Sequence, residues 1–273
     1  MRRITLGITA ATAIASCLAF GGSAPALADP YLPGLTNLDF NSYTGSAPKA
    51  SFTSVDPTGW TGGSGLIFIA STSPFSASAA GPTYLQTYGN PSGSYSGNYV
   101  EADGNPVYES GFNTTVSGLT AGHTYQLSFY QGASQQVGFT GATTNQWIVS
   151  LGTAGLTVTP GSHGVDTYSN ADASASVVAS PLMSVPSGGT VGWNYVTVNL
   201  TADATTDTLS FLAWGDNGNT TNLPPMAFLA GVDSPPGLGV PEPGTLALLG
   251  SSLIGLGFLA ARKRQKPGLG VTQ

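Results

Sequence analysis

Glu101 and Asp103 are two acids spaced two residues apart. In an extended chain alternate side chains share a face, where paired carboxylates can protonate a leaving group and activate water at a glycosidic bond. A structural reading takes precedence, with a strand ending in the turn Ala102-Asp103-Gly104-Asn105-Pro106. Glu109 is the only other glutamate between residues 29 and 240. His123 and His163 lie in Ala-Gly-His-Thr and Gly-Ser-His-Gly loop contexts, without a metal-type partner at close spacing. GxSxG, HExxH and P-loop signatures do not occur. The same region holds one lysine, Lys49, and no arginine, which leaves little material for general catalysis. Cys17 is the only cysteine, so an intramolecular disulfide, a Cys-based zinc site, an iron–sulfur cluster and a CxxC pair are excluded.

Binding chemistry is better supplied. Sugars offer C–H faces to aromatic rings and hydroxyls to amides and carboxylates. Trp214 leads into a polar loop carrying Asp216, Asn217, Asn219 and Asn222, which together form the candidate glycan-binding set. For Trp214 packing takes precedence over a role as platform. Trp60, Trp147 and Trp193 lie beside strands and are expected in the core. A tyrosine-rich loop from Tyr88 to Tyr99 reads as a surface tongue or a second contact region.

The elements that must position these residues are strands. Phe112, Thr114 and Val116, then Tyr125, Leu127 and Phe129, then Val196, Val198 and Leu200, then Leu209, Phe211 and Ala213 recur with a period of two. Tyr108 is read as the start of the first of these runs. Further strands are expected at 66–69, 84–87, 99–102, 147–151, 156–158 and 227–232, between Gly, Asn, Ser and Pro clusters. Ten or more short strands within residues 29–240 indicate an all-β, two-sheet sandwich. The chain has 273 residues, of which 7% are charged. Residues 29–240 hold twelve acids and one base, a net of −11, which opposes nucleic acid and anionic lipid as partners.

The ends read as addresses. Arg2 and Arg3 precede an apolar, Ala-rich run, and Ala26-Leu27-Ala28 supplies a small-x-small cleavage site before Asp29, as in a secretory signal peptide over residues 1–28. A lipobox ending at Cys17 is the competing reading. Residues 244–261 carry no charge and would span ~27 Å as a helix, enough for a thin bilayer core. Arg262, Lys263, Arg264 and Lys266 follow, which places residues 267–273 in the cytoplasm and the preceding chain outside.

Pro241-Glu242-Pro243, the apolar span and the basic cluster occur in one order over residues 241–266. This order resembles the tripartite sorting signal of PEP-CTERM exported proteins. That resemblance implies an exosortase-like membrane protease as partner, acting near Pro241-Glu242-Pro243 in a Gram-negative bacterium that makes exopolysaccharide. The protein would pass the inner membrane, be anchored there before processing, and finish at the cell surface or in the biofilm matrix. Two prolines hold the motif extended, and Glu242 is the residue that would be read by charge.

Residues 29–240 also resemble galactose-binding-like jelly rolls of carbohydrate-binding modules. The resemblance rests on an internal echo, Leu119-Thr120-Ala121 before Leu127-Ser128-Phe129 and Leu200-Thr201-Ala202 before Leu209-Ser210-Phe211. It also rests on Asn37-Leu38-Asp39-Phe40 with Gly59-Trp60, Tyr99-Val100-Glu101-Ala102, and the closing Phe228-Leu229-Ala230-Gly231-Val232. Such modules often hold a structural calcium. Here Asn41 and Ala230-Gly231 stand where acids are usual, leaving Asp39 and Asp233 as oxygen donors, so no cofactor is expected and calcium stays an alternative. The expected function is a non-catalytic, exported matrix protein that binds extracellular polysaccharide. The alternatives are a structural or adhesive protein without a saccharide site and, third, a glycoside hydrolase or lyase.

Overall fold

The computed structural model describes residues 30–43, 56–62, 67–71, 95, 97–105, 108, 111–136, 138–161, 164–219 and 224–232. The leader with Ala26, Ala28 and Asp29, the expected strand at 84–87, most of the tyrosine-rich loop, Glu109, His163, Asn222, Asp233 and the sorting segment lie outside the described residues. Among the described residues no helix is long and apolar enough to cross a membrane.

Thirteen strands are described: β1 (Thr61–Gly62), β2 (Ile67–Ser71), β3 (Asn98–Asp103), β4 (Gly111–Ser117), β5 (Thr124–Gln135), β6 (Thr143–Gly152), β7 (Leu156–Thr159), β8 (Thr167–Asn170), β9 (Ser176–Ala179), β10 (Met183–Val185), β11 (Thr190–Thr201), β12 (Thr206–Gly215) and β13 (Pro225–Ala230). One sheet runs β1-β4-β12-β6-β10, with β9 also paired to β6, and the other runs β11-β5-β13-β3-β2. Every pairing between named strands is antiparallel, and β7 with β8 forms a separate hairpin. This is the all-β sandwich that the period-two pattern calls for. Tyr108 falls outside β4 and is exposed, so the first run begins three residues later than the alternation suggests.

The core lies between the sheets because each strand turns its apolar set inward. Phe112 and Val116 of β4, Leu209, Phe211 and Ala213 of β12, and Trp147, Val149 and Leu151 of β6 meet Leu127 and Phe129 of β5 and Val196, Val198 and Leu200 of β11. Phe211 stacks on Phe112 with centroids 5.6 Å apart and meets Phe129 of the opposite sheet edge-on at 5.4 Å. Each such fully buried side chain contributes roughly 1.5–3 kcal/mol. Trp60 and Trp147 belong to this core as expected, and the indole Nε1 of Trp147 donates to Phe228 O at 3.0 Å, tying the sheets together.

The internal echo is a structural pair. β4 turns through Leu119-Thr120-Ala121 into β5 of the other sheet, and β11 turns through Leu200-Thr201-Ala202 into β12 of the first. The two corners bond to one another, with Gly122 N donating to Ala202 O at 2.8 Å and Ala202 N to His123 O at 2.9 Å. β4 then pairs with β12, and β5 with β11.

Candidate functional site

Trp214 follows the alternation of β12 onto its outer face, but that face is covered. Trp214 is 4% exposed and packs with Ile148, Leu212, Leu156, Val158 and Tyr168. The Tyr168 ring meets it edge-on at 4.9 Å. Trp214 thus takes the packing role rather than that of an open platform: β7 and β8 lie over it, and its ring holds the start of the loop in place.

The loop itself is tightly specified. Gly215 N donates to Gly104 O at 2.7 Å, and a Cβ on Gly215 would stand 2.6 Å from that oxygen. Asp216, Asn217 and Gly218 follow with φ of 46°, 52° and 80°, three successive left-handed residues of which two are not glycine. Such backbone costs roughly 1–2 kcal/mol per non-glycine residue and persists only where the surroundings enforce it. Here Gly218 O accepts from Asp166 N at 2.8 Å, and the Asn219 side-chain amide donates to Asp216 O at 2.6 Å. Asn219 is thus spent on holding the turn, while Asn217 is exposed at its tip.

Asp216 reaches a cleft of about 340 Å³, whose other walls include Thr143 and Thr144 of β6, Ser184 and Val185 of β10, and Pro186. The Oγ1 of Thr143 and the Nδ2 of Asn145 are buried without hydrogen-bond partners. A cleft lined by a carboxylate and hydroxyl-bearing residues suits exchange of hydrogen bonds with a polyhydroxylated ligand. Trp214 to Asn219 and β6 converge here because β12 pairs with β6 up to Gly215 opposite Asn145. The contribution of β6 and β10 escaped sequence reasoning: Thr143, Thr144 and Ser184 are ordinary polar residues far from 216 in the chain.

A second cleft of about 480 Å³ includes Thr36, Thr61, Asn113, Thr115 and Thr208. These are hydroxyl and amide groups without an aromatic face, largely from outward positions of β1, β4 and β12. The sequence signals only the polar side of half-buried strands there.

Glu101 and Asp103 do share one face, the outer face of β3, as their spacing requires. Glu101 is fully buried opposite Phe68 of β2 and Phe228 of β13. Neither of its carboxylate oxygens has a partner in hydrogen-bond geometry. Burial pushes the carboxyl up to about 8, against a smaller opposing pull from the Tyr99 side chain that stops short of a well-formed bond. Burial likewise pushes Asp103 up to about 7, although its Oδ1 accepts from Asn105 N at 2.8 Å as the turn reading requires. Glu101 sits in mid-strand rather than at a turn. Trp193 is half-buried on the same outer face, edge-on to Tyr99 at 5.4 Å, instead of lying in the inter-sheet core.

Of the two oxygen donors that the sequence offers a calcium ion, Asp233 lies outside the described residues and Asp39 is engaged locally. Asp39 Oδ2 accepts from the Asn41 side-chain amide at 2.6 Å. Ala230 and Gly231 bring no side-chain oxygen, and among the described residues no three His, Cys, Asp or Glu side chains group to hold a metal ion.

Residues 239–265 match the family model of the PEP-CTERM protein-sorting motif. No curated protein matches the sequence. Among solved structures, the carbohydrate-binding module TmCBM61 in complex with β-1,4-galactotriose aligns over 73% of this chain and 94% of its own, at 12% identity and TM-score 0.35. The K1 cleaved adhesin domain of Lys-gingipain from Porphyromonas gingivalis W83 aligns over 65% and 90%, at 13% identity and TM-score 0.32. The family 11 carbohydrate-binding module from Clostridium thermocellum, in complex with a β-1,3-1,4-mixed-linked tetrasaccharide, aligns over 64% and 87%, at 12% identity and TM-score 0.29.

Proposed function

We propose that this is a non-catalytic protein of the cell surface or extracellular matrix, processed by an exosortase-like protease, that binds extracellular polysaccharide of the biofilm. The PEP-CTERM sorting motif carries the export half of this reading. Glycan binding is supported by one observation: Asp216, held by a left-handed turn, lines a sugar-sized cleft together with the cross-strand pair Thr144 and Ser184. Asp216 and Asn217 are the proposed contact residues, Asn222 continues the same loop, and Trp214 and Asn219 position them. The net of −11 over residues 29–240 favours a neutral glycan over an anionic one. The full burial of Glu101 supports the non-catalytic reading, since a general acid must reach its substrate.

The test is binding of the purified chain to neutral and acidic polysaccharides, with calcium and with chelator, comparing Asp216→Ala and Thr144→Ala with wild type. The expected result is saturable, calcium-independent binding to a neutral glycan, weakened roughly tenfold by Asp216→Ala. A folded chain that binds no glycan would favour the structural or adhesive reading, which the burial of Trp60, Trp147 and Trp214 also suits.

A further inference from the structure

The stretch that forms one lateral flank of the sandwich brings no charge to it. No Asp, Glu, Lys, Arg or His occurs from Ala173 to Ala202, although the surrounding sequence is acidic. This stretch forms β9, β10 and β11, which sit together: β11 ends one sheet, while β9 and β10 line the outer edge of β6 in the other. β9 and β11 come close without pairing. Three of the exposed large hydrophobic side chains lie on this stretch, Val177 at 41%, Leu182 at 57% and Tyr195 at 39% exposure.

The backbone of the flank matters as much as its side chains. β11 spans Thr190–Thr201 and pairs only with β5 among the described residues. A bulge interrupts the ladder between Val191 and Asn194, and from Asn194 to Thr201 the register is unbroken. Exposed edges are ordinarily blunted by lysine, proline, inward charge or bulges, because a row of unpaired N–H and C=O groups templates another strand. The Asn194–Thr201 segment carries none of these devices and is rich in β-branched and aromatic residues.

We propose that this flank is a self-association surface, on which β11 pairs antiparallel with β11 of a second copy of this chain. A strand edge is matched by a strand edge, and a two-fold axis makes the same segment complementary to itself. Charge selects the same occupant. Two copies that each carry −11 over residues 29–240 repel one another, and the Ala173–Ala202 flank is where they meet without opposed carboxylates. With the two-fold axis at Thr197, in the middle of the unbroken segment, Tyr195 of each copy lies opposite Asn199 of the other on one continuous sheet surface.

The test is sedimentation of the full chain in detergent over a rising concentration series, for wild type, the Thr197→Lys/Asn199→Lys double variant and Thr159→Lys. All three sites are exposed, and Thr159 lies on the β7–β8 hairpin, outside the Ala173–Ala202 stretch. The expected result is dimerisation of wild type and Thr159→Lys, weakened at least roughly tenfold in the double variant. A monomeric wild type, or equal association of all three, overturns the proposal. If the double variant does not fold, Thr197→Cys, in the middle of the unbroken segment, and Thr159→Cys in a Cys17→Ser background replace it. Oxidation must then cross-link the first and not the second, and the reverse pattern or no cross-link overturns the proposal. Glycan binding is read separately, so either proposal can fail alone.

Discussion

Glu101 is the residue at which burial and chemistry conflict most. Its carboxyl titrates near 4.5 in the unfolded chain and at about 8 in the folded one, because burial disfavours its charge. Between those values the unfolded chain releases a proton that the folded chain keeps. The stability is therefore complete below about 4.5 and is lost as pH rises through about 8. Asp103 acts in the same direction, from 3.8 to about 7. Asp172 runs the opposite way: the backbone N–H of Thr153 leads a set of donors that hold it well below the carboxylate range, so its contribution is lost on acidification. That site lies at the surface, where solvent screens it. The melting temperature should fall from pH 5 to pH 8, and Glu101→Gln should flatten that slope. Parallel melting curves for the two proteins would remove Glu101 as the cause. At the loop, Gly218→Ala places a Cβ 2.8 Å from both Asp166 O and Trp214 Cζ2 at a φ of 80°. It should cost roughly 1–3 kcal/mol in urea unfolding.

At the scale of elements, the β7–β8 hairpin converts Trp214 from an open ring into an anchor. Tyr168 of β8 and Leu156 and Val158 of β7 close over Trp214, Ile148 and Leu212. Trp214→Ala should therefore lose roughly 3–5 kcal/mol of stability, measured by chemical denaturation. Any loss of glycan binding in that variant would follow from a displaced loop. Trp214→Phe should keep most of the packing and most of the binding, and a full loss of binding by a stable Trp214→Phe would give the indole a direct contact instead. The corner between β4 and β5 shows the same division of labour. Thr120 N donates to the Tyr125 hydroxyl at 2.8 Å across the turn, and Tyr125→Phe should cost about 1 kcal/mol.

For the whole molecule, the predictions concern routing and charge. The PEP-CTERM match at residues 239–265 lies beyond the last described strand, so changing the sorting elements should leave the sandwich intact. Replacing Pro241, Glu242 and Pro243 by alanine should leave the chain unprocessed and membrane-bound, seen as a larger species in the membrane fraction. Unchanged processing would show that the prolines and Glu242 are not what the protease reads. The acidic body should also make association through the uncharged flank stronger as salt is raised, because screening weakens repulsion between like-charged copies.

The address and the class of fold are legible in the unfolded chain. The sorting signal is a linear order of Pro-Glu-Pro, apolar span and basic cluster, and linear order needs no folding to be read. The core strands were legible because Phe112, Leu127, Phe129, Val198, Leu209 and Phe211 repeat with the period of a pleated chain. β8, β9 and β10 escaped, because TYSN, SVVA and MSV are too short to show a period. Packing in three dimensions settled the rest. It buried Trp214 under a hairpin and Glu101 on an outer face, brought Thr143 and Ser184 to Asp216, and gathered uncharged β9, β10 and β11 onto one flank. Alternation says which side of a strand a residue occupies. Only the packing of other elements over that side decides whether it meets solvent, a ligand or the core.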